Sequence, residues 1–170
     1  MNEIFTIGYG GRETDDFIAI LNEYEIDTLV DVRSQPYSRY APDFSKERLS
    51  AILNHRGIEY HFMGNSLGGR PQDNQCYTYS PQRKKKLLDA KKCEAKAFYR
   101  NGISQLKRAL STGRRIVIMC SELEPHECHR GYVLGKTLDG EEIAVVHIGR
   151  YGEPLSQSQI RATNYQEALL

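Results

Sequence analysis

Ile116-Val117-Ile118-Met119 is apolar at four consecutive positions and runs directly into Cys120-Ser121-Glu122. A strand of that composition is apolar on both faces, and both faces are buried only in a sheet covered by helices on each side. This requirement argues against a one-sided antiparallel sheet and selects a layered α/β fold. The rest of the chain supplies the layers. Ile4-Phe5-Thr6-Ile7 reads as a first strand, closed by Gly8-Tyr9-Gly10-Gly11. After a start signal at Thr14, residues Phe17, Ile18, Ile20, Leu21 and Tyr24 recur at helical spacing. Thr28 to Val32 reads as a second strand. Ser45 to Gly57 follows as a helix carrying Leu49, Ile52 and Leu53, and Ile58, Tyr60 and Phe62 alternate as a third strand. Phe98, Ile103, Leu106, Ala109 and Leu110 mark a longer helix that stops by Gly113. A helix from about Cys128 to Leu138 leads to a last strand, Ala144 to Ile148.

This alternation predicts one three-layer α/β domain over residues 1–150. Its sheet is mainly parallel, of about five strands, with helices on both faces. Residues 71–93 interrupt the pattern as a long polar connection of the kind that forms lids, and residues 151–170 read as a weakly patterned C-terminal tail. In open parallel sheets ligands bind beyond the carboxyl ends of the strands. Gly8 and Tyr9, Asp31 and Arg33, Cys120, and His147 all fall near such ends, so they are expected on one rim.

Composition limits what that rim serves. A chain of 170 residues with 39% apolar content builds a single ordinary core. A net charge of +1 gives no overall attraction to nucleic acid or membranes. No apolar run reaches the roughly 18–20 residues of a membrane span, and the start Met1-Asn2-Glu3 lacks a secretion signal. A cytoplasmic location is therefore expected, with Cys76, Cys93, Cys120 and Cys128 as reduced thiols.

The densest chemistry lies between Cys120 and Arg130. Two thiols, Glu122, His126, His129 and Arg130 follow a buried strand within one short loop, a costly grouping unless chemistry or a ligand requires it. Cys120 and Cys128 are candidate nucleophiles, with Glu122 and His129 as acid/base candidates. A metal site built from Cys120, His126, Cys128 and His129 is the alternative. Against it, there is no C-x-x-C pair, and the adjacent Cys128 and His129 are expected to share one tetrahedral ion with difficulty.

A second cluster, Asp31-Val32-Arg33-Ser34-Gln35-Pro36-Tyr37-Ser38-Arg39-Tyr40, suits a carboxylate or phosphate, held by Arg33, Ser38 and Arg39. Its plainer reading is a loop in which Asp31 pairs with an arginine. Gly8-Tyr9-Gly10-Gly11 lacks the third glycine of a dinucleotide turn, and a tight turn is its default. Asn65 to Pro71 is another glycine turn, able to bring Arg70 to the rim. Arg83-Lys84-Lys85-Lys86 with Lys91 and Lys92 allows a salt-sensitive nucleic-acid contact, but a solvated helical face is the simpler expectation.

Together these motifs resemble a bacterial and archaeal family, the domain of unknown function 488 family. The resemblance runs through Thr6-Ile7-Gly8, Leu29 to Ser34 with Pro36 and Ser38-Arg39, and Leu67-Gly68-Gly69. It continues through Cys120-Ser121-Glu122, Cys128-His129-Arg130 and His147-Ile148. It implies an α/β cytoplasmic domain with one motif-lined cleft, and it specifies no activity, cofactor or substrate. The expectation from the residues is an enzyme acting on an anionic small molecule or nucleotide-like ligand. Arg33, Arg39, Arg70 and Arg130 hold the anion, and Gly8, Tyr9, Asp31, Ser38 and His147 complete the site. A metal-binding protein and a nucleic-acid-binding module are the alternatives, and no membrane partner is expected.

Overall fold

A computed structural model describes residues 3–161. Four strands behave as the apolar patterning requires: β1 (Glu3–Gly8), β2 (Thr28–Asp31), β3 (Glu59–Phe62) and β6 (Ile116–Cys120) pair in parallel, joined by parallel β7 (Ala144–Ile148). A sixth strand, β8 (Pro154–Ser156), pairs antiparallel with β7, so the order is β3-β2-β6-β1-β7-β8. β6 is buried at every position and sits between β2 and β1. Each fully buried aliphatic side chain there contributes about 1.5–3 kcal/mol.

The helices divide between the two faces. Helices α1 (Thr14–Glu23) and α2 (Lys46–His55) cover one face, where Phe17, Ile18, Leu21, Leu49 and Leu53 pack with Phe5, Ile7, Leu29, Val117 and Met119. Short α3 (Gly64–Leu67) and α4 (Ala90–Glu94), long α5 (Ala97–Ser111) and the segment after β6 cover the other. There Tyr99, Ile103, Leu106, Val133, Leu134 and Leu138 meet Ile4, Val30, Ile116 and Ile118. The alternating faces of β6 thus feed two separate cores, as a doubly apolar strand must.

Three sequence expectations change. The helix from Cys128 is not continuous. Pro125 opens a 3-10 turn (Pro125–Glu127), Cys128 is extended at φ −113° and ψ 143°, and a π-helical turn (Arg130–Gly135) precedes α6 (Lys136–Gly140). Residues 71–93 carry structure of their own: a hairpin of β4 (Tyr77–Ser80) and β5 (Lys85–Leu88), then α4. Arg83 to Lys86 therefore lie on a hairpin turn and strand rather than on a helical face, while Lys91 and Lys92 stand exposed on α4. Finally, the start of the segment read as a tail is packed, with Gln157 and Ile160 buried beyond β8. The tail's residues 162–170 lie outside the described residues. Cys76 and Cys93, expected as reduced thiols, are buried in the core, where burial and the neighbouring Cys76 push the Cys93 thiol up to about 12.

Candidate functional site

Neighbouring strands β1 and β6 end together, with Gly8 paired to Cys120. The chain leaving β1 crosses toward β2, and the chain leaving β6 crosses toward β7, which opens a crevice at their carboxyl ends. The loop after Cys120 folds back over β1. Tyr9 N donates to the Cys120 carbonyl at 3.2 Å and Gly10 N to the Ser121 carbonyl at 2.9 Å. A Cβ at Gly8 would stand 1.8 Å from the Glu122 carbonyl oxygen, so only glycine allows this approach. Arg130, fully buried, clamps the same loop by donating to the carbonyls of Glu122 at 2.6 Å and Leu123 at 2.8 Å. The Gly-Tyr-Gly turn is thus a lock between two backbone segments, and its amides are committed.

The clamped loop returns Cys128 and His129 to the end of β6. His129 Nδ1 lies 3.8 Å from Cys120 Sγ and 3.8 Å from Cys128 Sγ, and the three candidate ligand atoms all lie within 4.8 Å of one another. His126 is not among them. The expected difficulty for adjacent Cys128 and His129 disappears because Cys128 is extended while His129 precedes the π-helical turn, so both side chains reach the same point. His129 Nε2 is 3.0 Å from the Leu67 carbonyl. A carbonyl only accepts, so Nε2 carries the proton and Nδ1 presents its lone pair to the sulfurs.

The thiols differ. Cys120 donates to Glu122 Oε2 at 3.3 Å, and Ser121 Oγ donates to the same oxygen at 3.1 Å. The hydrogen bond with Cys128, then burial, raise the Cys120 thiol well above the ordinary thiol range. Burial opposes ionisation of Cys128 as well, but the hydrogen bond with Cys120 and the charge of Arg130 outweigh it and hold Cys128 well below that range.

Arg33 forms the opposite wall. Its Nη2 lies 2.6 Å from Asp31 Oδ2 and its Nε 2.9 Å from Oδ1, with Tyr60 donating to Oδ2 at 2.6 Å. The guanidinium also sits 5.2 Å from the centre of the Tyr9 ring, which stacks on Phe44 at 4.4 Å. Burial works against its charge, and Asp31 overcomes it, leaving Arg33 more firmly protonated than a free arginine. Its Nη1 is buried with no hydrogen-bond partner among the described residues.

These groups line one cavity of about 510 Å³. Of the residues singled out in the sequence, Tyr9, Arg33, Arg70, Cys120, Glu122, Cys128 and His129 line it. Asp31 stands behind Arg33, and Gly8 and Arg130 support the loop from beneath. Ser38 and Arg39 lie on the Arg33 loop away from the cavity. There Ser38 Oγ accepts from Ala41 N and Arg39 is exposed. His147 is buried inside the sheet edge between Thr6 Oγ1 and Gln157 Oε1, both at 2.7 Å, so it does not reach the rim.

A family model described as domain of unknown function DUF488 matches residues 13–136. The chain belongs to the DUF488 family. No curated protein and no solved structure matches it. Among the described residues, no helix is long and apolar enough to cross a membrane.

The cavity of this DUF488 domain includes residues that sequence reasoning did not assign to a site. Lys85, Lys86, Tyr132 and Glu127 line it, and Tyr60 fixes Asp31 from the adjacent strand. Lys85 and Lys86 were visible only as charge, since the hairpin that brings them beside the cavity has no strong turn signature. The Leu67 carbonyl is backbone, and no residue type signals it.

Proposed function

We propose that this DUF488 domain is an enzyme acting on an anionic substrate, phosphate-, nucleotide- or carboxylate-bearing, bound in the crevice beyond β1, β2 and β6. The observation that carries this reading is Arg33. A guanidinium only 4% exposed, held charged by Asp31 and with no partner for Nη1 among the described residues, shares a cavity with two thiols and a histidine. Because Asp31 neutralises it, Arg33 supplies direction more than net charge. Arg70, Lys85 and Lys86 add the charge that draws an anion in. The reacting groups are then Cys120, Cys128 and His129, offering sulfur as nucleophile or as a soft ligand set, with Glu122 positioned to carry a proton.

The test is thermal stabilisation by inorganic phosphate, nucleoside monophosphates and short dicarboxylates, with a single-stranded oligonucleotide as a further arm. At least one small anion raises Tm in a salt-sensitive way, and the rise is lost in Arg33→Lys and reduced in Arg70→Ala. No stabilisation of the native protein, or stabilisation that survives both substitutions, overturns the reading. Stabilisation by the oligonucleotide alone makes the basic hairpin a nucleic-acid contact instead.

A further inference from the structure

We propose that Cys120, Cys128 and His129 bind one zinc-class divalent cation at the floor of the crevice, leaving a fourth coordination position open to the cavity. Tetrahedral zinc, with bonds of about 2.3 Å to sulfur and about 2.0–2.1 Å to nitrogen, holds sulfur and nitrogen roughly 3.6 Å apart. His129 Nδ1 stands 3.8 Å from each of the two sulfurs, so these two spacings need movements of a few tenths of an ångström to admit an ion, and the two sulfurs lie within 4.8 Å of each other. The three ligand atoms converge from three points of the fold: the end of β6, the extended residue after the 3-10 turn, and the residue before the π-helical turn.

The second, independent observation is the ring of His129. A ligating histidine commonly donates its other ring N–H to a carbonyl or carboxylate, which fixes the tautomer and aims the lone pair. The Leu67 carbonyl occupies that place at 3.0 Å, leaving Nδ1 facing the two sulfurs. The donor set decides the class of ion. Two sulfurs and an imidazole nitrogen favour zinc and its thiophilic neighbours over magnesium or calcium, which take oxygen ligands. Two thiolates also balance a dication, so the buried site becomes neutral. Ion binding by two protonated thiols releases two protons to solvent, and correspondingly fewer where a thiol is already ionised.

Three protein ligands and an open position are the pattern of catalytic rather than structural zinc. All three ligand residues line the cavity, so the open position faces the place where Arg33 and Arg70 lie. Glu122, whose Oε2 is 3.3 Å from Cys120 Sγ, lines the same cavity. What the ion acts on rests on the proposed anionic substrate, but its ligation by these three residues does not.

The experiment uses the full chain, stripped with chelator and titrated with Co2+ in place of Zn2+. The expected result is one ion per chain, with the visible absorption of tetrahedral cobalt and thiolate-to-metal charge transfer in the near ultraviolet. Both signals are lost in the Cys120→Ser, Cys128→Ser double variant and in His129→Gln, and retained in Cys76→Ser, Cys93→Ser, with circular dichroism confirming that each variant is folded. Zn2+ also protects Cys120 and Cys128 from iodoacetamide. Absence of stoichiometric binding, or binding that survives the double variant, overturns the site. Adding an anion that stabilises the metal-free protein then changes the cobalt spectrum. An unchanged spectrum with normal anion stabilisation, or a spectrum in which Glu122→Gln alone opens the site, overturns the open position while leaving the anion reading standing.

Discussion

The carbonyl of Leu67 and Nε2 of His129 lie 3.0 Å apart, although 62 positions separate them in sequence. This bond couples the glycine turn after α3 to the thiol cluster, and it explains Gly69. A Cβ at that position would stand 2.7 Å from His129 Nδ1 and 2.9 Å from Cγ. The Leu67-Gly68-Gly69 segment therefore grips the ring twice, by a hydrogen bond at one nitrogen and by close backbone approach at the other.

Gly69→Ala tests that grip without touching a sulfur. The added methyl forces the ring to turn, breaks the Leu67 bond and releases the tautomer. In the native protein, long-range nitrogen–proton correlation spectra show the proton of the neutral His129 ring on Nε2. In the variant the two tautomers mix, and affinity for Co2+ at the cluster falls by about 10- to 100-fold, the usual scale for losing an outer-shell partner. A native Nδ1–H tautomer sinks the account of the ring.

Much of the fold was legible because burial on two faces leaves a signature. β1, β2, β6 and β7 could be read from apolar runs, and the helices facing them from spacing. The six-stranded sheet lacked one legible member: β8, Pro154–Ser156, is only three residues long and joins the sheet by pairing with β7. Arg33 and Cys120 were legible as residues at strand ends, and Cys128 and His129 as the loop that follows; all four line one cavity. The strand-end rule failed where it took no account of facing. His147 is one residue short of the end of β7 and points into the buried edge, and Arg130 is spent on backbone carbonyls. Side-chain partners such as Tyr60 with Asp31 depend on neighbouring strands, which sequence order alone does not align.

The ion pair of Asp31 and Arg33 makes a second prediction. Asp31 is fully buried and Arg33 nearly so, which means that neither charge is solvated by water. Asp31→Asn leaves the guanidinium buried without its counter-charge and lowers stability by about 3–5 kcal/mol in urea denaturation, the range for orphaning one partner of a buried pair. Tyr60→Phe removes one charge-assisted bond and costs about 1.5–3 kcal/mol. Because Arg33 also lies over Tyr9, anion stabilisation is weakened in both variants. A cost under about 1 kcal/mol for Asp31→Asn would show that water reaches the pair.

His147 sets a dependence of stability on pH. Thr6 Oγ1 donates to its Nδ1, and its Nε2–H donates to Gln157 Oε1, whose amide nitrogen is turned to the Gly131 carbonyl. The ring is neutral in this chain of bonds, and a second ring proton would have to face the Thr6 hydroxyl. Burial, reinforced by the charge of Arg130 and opposed by the Gln157 bond and the Cys128 sulfur, lowers its pKa to about 4. In the unfolded chain histidine titrates near 6.5. Above about 6.5 the ring is neutral in both states, and its full contribution to stability is present. Between about 6.5 and about 4 the unfolded chain takes up a proton that the native protein refuses, so stability falls as pH falls, by about 3 kcal/mol over the window. Below about 4 both states are protonated and this contribution is gone. Urea midpoints measured across that range therefore decline in the native protein and decline less steeply in His147→Gln, whose residual slope comes from the carboxylates. Equal slopes in the two proteins would mean that His147 is protonated inside the fold, and the Thr6 to Gln157 chain would then have to be redrawn.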